Sequence, residues 1–125
     1  MFWNIVYTIY PPFLRLLERF HFHTVRQEYV LGNLNSRYTP NDLRQFLFQR
    51  GFSKAILAWK DPGEILSLRL VDRKVFQYHL RLFNDGEIRG HYEYSSEGNP
   101  LFHILDIGLR REENFFRSLL GAYLS

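Results

Sequence analysis

The stretch 77–94, QYHLRLFNDGEIRGHYEY, sets His-x-Arg before a turn and Arg-x-His after it. Imidazoles can move protons or hold a metal, and guanidiniums can fork onto phosphate or carboxylate. Whether these side chains meet depends on strand register. Asn84-Asp85-Gly86 suits a three-residue hairpin loop that ends in a left-handed glycine. That loop pairs Phe83 with Glu87. Counting outward, it pairs Arg81 with Arg89, His79 with His91 and Gln77 with Glu93. One side of the hairpin becomes apolar, with Phe76, Tyr78, Leu80, Leu82, Ile88, Tyr92 and Tyr94. A two-residue Asp-Gly turn would set Leu82 against Arg89, so the hydrophobic pattern selects the longer loop.

The preceding hairpin is expected to turn through Asp72–Lys74, pairing Val71 with Val75. Leu66, Leu68 and Leu70 then join the apolar side, while Ser67 and Arg69 join the polar side opposite His79 and Gln77. One strand further out, Ile56 and Ala58 face the apolar side and Leu57 and Trp59 the other. The expected binding face is therefore an open sheet surface carrying Arg69, His79, Arg81, Arg89, His91 and Glu93, with Trp59 near its edge. Arg81 opposite Arg89 costs a few tenths to about 1 kcal/mol. Glu87 or Glu93 on the diagonal, or an external anion, is expected to compensate.

Around this hairpin pair the chain punctuates cleanly. Strand-like runs at about 53–60, 64–71, 75–83 and 87–94 are separated by Asp-Pro-Gly, Asp-Arg-Lys and Asn-Asp-Gly. Phe13, Leu16, Leu17 and Phe20 form a helical stripe over about 13–26, with Arg15, Arg19, Phe22 and Arg26 opposite. Thr39, Pro40 and Asp42 read as the start of a second helix, and Gly51 as its left-handed stop. A short helix from Asn99-Pro100 to about Ile107 and a last one carrying Phe115, Phe116, Leu119 and Leu120 follow. The fold class is α+β: a single domain over residues 1–125, a four-stranded antiparallel meander with helices on one face. Those helices are the N-terminal ones and the two C-terminal ones.

Composition narrows the function. With 125 residues the chain can bury a core unaided. It has no cysteine, which removes disulfides and thiolate metal sites. Net charge is +3, and 13 of 16 basic residues are arginine. Residues 1–60 hold eight basic against three acidic residues (+5), and residues 61–125 hold eight against ten (−2). The N-terminal MFWNIVYTIYPPF lacks the basic start and small-residue cleavage site of a secretory signal. It is also shorter than the roughly 20 residues that span a bilayer. It is expected to dock on the core, with no transmembrane segment and a cytoplasmic address.

The leading expectation is a binding module for an anionic partner, a nucleic acid or a phosphorylated ligand, through the His/Arg face. A second reading is a metal-independent ribonuclease-like enzyme, with His79 and His91 as acid and base and Arg81 and Arg89 stabilising charge. A third is a protein-interaction or homodimer module anchored by exposed aromatics such as Trp59. His79 and His91 could share a zinc with Glu93 or His103, but flanking arginines repel a cation, so no metal or cofactor is assigned. His21 and His23 sit two apart in a helical pattern and do not share a face. No Ser-His-Asp, Gly-x-Ser-x-Gly or His-Glu-x-x-His signature occurs, so the pattern favours binding over catalysis.

Overall fold

The computed structural model describes residues 29–55, 61–105 and 107–125. The N-terminal apolar segment, the helix expected over 13–26, His21, His23, Leu57 and Trp59 lie outside these residues. The described chain is α+β. The expected strands are β2 (Ser53–Lys54), β3 (Glu64–Asp72), β4 (Phe76–Phe83) and β5 (Glu87–Tyr94), all antiparallel. The sheet has five strands rather than four. β1 (Val30–Asn33) adds to the free edge of β5, giving the order β1-β5-β4-β3-β2. Beyond β1 the same edge is continued by Arg110, whose backbone exchanges two hydrogen bonds of 2.8 Å with Tyr92.

The β4–β5 register is the one the loop chemistry predicts, with His79 opposite His91, Arg81 opposite Arg89 and Gln77 opposite Glu93. Gly86 takes φ 92°, and its N–H donates to the Phe83 carbonyl at 2.9 Å. The β3–β4 register differs by two residues. The loop is Arg73–Val75, so Asp72 pairs Phe76, Arg69 pairs His79 and Ser67 pairs Arg81. Asp72 stays in the strand because the Tyr92 hydroxyl donates to its carboxylate at 2.7 Å. The turn is made instead by Arg73 and Lys74, both left-handed at φ 52° and 65°. An even shift leaves every side chain on its expected side.

Helices cover the apolar side. α1 (Pro40–Gln49) starts with a capping box: the Thr39 hydroxyl accepts from the Asp42 N–H, and the Asp42 carboxylate accepts from the Thr39 N–H. Its Leu43 and Leu47 pack with Leu68, Leu80, Leu82 and Ile88 of the sheet. α3 (Glu113–Leu120) adds Phe116 and Leu120 to the same core. α2 (Pro100–Ile104), capped by the Asn99 side-chain Oδ1 accepting from Phe102 N–H, breaks the one-sided expectation. It sends His103 to Glu93, on the polar side of β5. Among the described residues no helix is long and apolar enough to cross a membrane.

Candidate metal centre

The polar side of the sheet is not open. His79, Arg81 and His91 are 0% exposed, and Gln77 and Glu93 are 1% exposed. Arg69 and Arg89 keep about a fifth of their side-chain surface. These residues lie on the side of the sheet expected for them, but their expected exposure is not found. A buried polar group costs free energy unless it is partnered, and a buried charge costs more. The layer's chemistry is therefore the chemistry of its partners.

Each arginine has a carboxylate. Arg81 donates to Asp61 and lies 3.5 Å from Glu64, while Arg69 pairs with Glu97 at 2.7 Å and donates to Gln77 at 3.2 Å. Arg89 pairs with Glu87, one of the two diagonal partners expected for it. Phe83 lies between the two facing arginines, its ring 4.2 Å from the Arg89 guanidinium carbon and 5.4 Å from that of Arg81. In the sequence Asp61 reads as a turn residue and Glu64 as the first residue of a strand. A bulge in β3 between Glu64 and Leu66 sets Glu64 opposite Phe83, turning it to the polar side.

Glu93 gathers the histidines. Its Oε2 lies 3.1 Å from His91 Nε2 and 3.3 Å from His79 Nδ1, and accepts from Gln77 Nε2 at 2.9 Å. Its Oε1 lies 3.5 Å from His103 Nδ1, which also bonds the Tyr94 carbonyl at 2.9 Å. The two imidazoles stand edge to face with centroids 5.0 Å apart, and the ring of Tyr29 lies 6.1 Å from that of His91. Burial pulls the His79 pKa down to about 3, outweighing the Glu93 carboxylate that would raise it. Burial pushes the Glu93 carboxyl up, but the charges of His91 and His103 and hydrogen bonds from His79 and His91 hold it well below the usual range.

One potential ligand atom each from His79, His91 and Glu93 lie within 4.8 Å of one another, and all three residues are buried. Ligand atoms around a tetrahedral zinc at about 2.0–2.1 Å stand about 3.3 Å apart. The contacts of 3.1 and 3.3 Å to Glu93 Oε2 fit that spacing. On its far side His79 Nε2 meets Ser67 Oγ at 2.7 Å. A proton on Nε2 there leaves the Nδ1 lone pair turned to the centre, the outer-shell arrangement typical of ligating histidines. The contacts that His79 Nδ1 and Glu93 Oε1 make are long for hydrogen bonds, at 3.3 Å to Glu93 Oε2 and 3.5 Å to His103 Nδ1.

The sequence brought His79, His91 and Glu93 onto one face and the structure joins them, with His103 arriving from α2. It missed Asp61, Glu64 and Glu97 as the counter-charges of the layer. Those partners remove the objection that the arginines repel a cation, since each guanidinium already holds a carboxylate. A proton-transfer role for His79 and His91 on RNA finds no support in side chains that are fully buried. Comparison of the chain with models of known protein families, with curated proteins and with solved structures returns no match.

Proposed function

We propose that this domain binds one divalent transition-metal ion, zinc by ligand type, through His79, His91 and Glu93. The reading rests on one observation. Two imidazoles and a carboxylate, the side chains of His79, His91 and Glu93, converge to coordination distance in a fully buried layer. Two imidazoles and a carboxylate suit zinc better than calcium or magnesium, which favour all-oxygen shells. A closed site of this kind is structural: it ties β4 to β5, with His103 orienting Glu93 from α2. The alternative is the same cluster without metal, held together by the ion pairs and hydrogen bonds of Glu93 alone.

Metal titration separates the two. Protein purified without chelator is expected to carry about one zinc per chain by mass spectrometry. Stripped protein is expected to take cobalt(II) with the strong visible absorption of a tetrahedral site, and His91→Gln is expected to abolish it. Zinc at 100 times its Kd adds about 2.7 kcal/mol of stability. A stripped wild-type chain that stays folded, takes no cobalt and gains no stability from zinc overturns the reading. That arm is independent of whether any variant folds.

A further inference from the structure

Outside the buried layer, one surface groove gathers two cations and an exposed aromatic ring. A groove of about 360 Å³ lies where α1 meets the β2–β3 edge. Arg44 and Phe48 line it from α1, Lys54 and Ala55 from β2 and the residue after it, and Ile65 from β3. Its size is at the small end of the ~300–1,000 Å³ usual for small-molecule sites.

The groove's charge has no internal owner. Arg44 donates to the Asn41 side-chain oxygen at 2.9 Å, and neither Arg44 nor Lys54 pairs with a carboxylate among the described residues. This sets them apart from Arg69, Arg81, Arg89 and Arg117, each of which holds one. A second groove, of about 370 Å³, carries Asp42 alongside its single arginine, Arg37, and so lacks this excess. Beside Arg44 the same groove carries an aromatic ring. Phe48 is 40% exposed, with the Arg44 guanidinium carbon 5.8 Å from its centroid. Ile65, 53% exposed, supplies apolar wall. Two cations fit a phosphate and an exposed ring fits a base.

We propose that this groove binds a nucleotide, its phosphate between Arg44 and Lys54 and its base on Phe48. The inference stands apart from the metal centre, since none of these three residues belongs to the buried layer. The source can be a free mononucleotide or one residue of a single strand, and the test carries both.

Isotope-labelled protein is titrated by NMR with uridine monophosphate, with a ten-residue single-stranded oligonucleotide and with inorganic phosphate. The nucleotide is expected to shift the amides of residues 44–48, 54–55 and 65–68, with binding that weakens steeply as salt rises. Phe48→Ala is expected to weaken it by about tenfold, as lost base stacking does. Arg44→Ala with Lys54→Ala is expected to abolish it, and both positions are exposed, so folding is not at stake. An oligonucleotide that binds in the same place and more tightly assigns a strand as the source; equal or weaker binding assigns the free nucleotide. Shifts elsewhere only, binding unchanged in the double variant, or inorganic phosphate binding as well as the nucleotide overturns the proposal.

Discussion

Leu80 and Arg81 are neighbours on β4, both 0% exposed, and they face opposite layers. On Leu80's side the sheet meets Leu43, Leu47, Phe116 and Leu120, and any apolar side chain of similar volume can serve. On Arg81's side the contents are a guanidinium, carboxylates and imidazoles, held by particular polar partners. Packing tolerates approximate replacement; paired charge does not. The two layers therefore differ in how they fail, and the largest expected effect follows from that. Leu80→Met keeps volume and polarity and is expected to cost under about 1.5 kcal/mol. Arg81→Met leaves Asp61 and Glu64 without their guanidinium and is expected to cost about 3–5 kcal/mol. Urea denaturation of both variants measures the difference. Equal losses would mean that the polar layer is as forgiving as the apolar one.

The apolar layer has its own point of intolerance. Gly90 lies opposite Leu80, and a Cβ placed there would meet Leu31 Cδ1 at 2.9 Å and two ring carbons of Phe116 at 3.0 Å. Gly90→Ala overfills a close-packed site at which β1 and α3 both press on β5. An expected loss of about 1–3 kcal/mol in the same assay follows from overpacking. Leu31→Ala in the same chain is expected to return part of that loss, because it removes the nearest contact. Failure of that rescue would place the strain in the backbone instead.

The layers were unequally legible in the sequence. Leucine alternation on β3 and β4 and the Asn84-Asp85-Gly86 loop point to one answer, and that register is correct to the residue. The connection at Asp72–Val75 has no glycine to mark its left-handed positions, so the pairing differs by two. The bulge at Ile65 has no sequence mark either, and it alone brings Glu64 to Arg81. β1 is four residues long with a glycine inside, too short for period-two alternation to stand out. Above all, alternation separates the two sides of a sheet but does not say whether the polar one faces water. His79, Arg81, His91 and Glu93 would read the same on a solvent face. Their burial is set by residues distant in the chain, such as Asp61, His103 and Tyr29.

The smallest expected effect lies at the rim of the polar layer, where water still reaches. Glu97 and Arg69 keep 26% and 19% of their side-chain surface, against 0–5% for Arg81 and its two carboxylates. Burial pushes the Glu97 carboxyl up, but the hydrogen bond and charge of Arg69 outweigh it and hold the carboxyl below its ordinary value. A depressed folded pKa stabilises the fold above the unfolded carboxylate's value of about 4.3. That stability is lost as pH falls through the lower folded value. Glu97→Gln is therefore expected to remove at most about 1 kcal/mol at neutral pH, the scale of a partly solvated pair. It is also expected to flatten the acid limb of the stability profile between pH 5 and the onset of acid unfolding, read as urea midpoints at stepped pH. An unchanged acid limb would show that Arg69 draws its compensation from Gln77 and the interior rather than from this carboxylate. The contrast between rim and centre would then be one of burial alone.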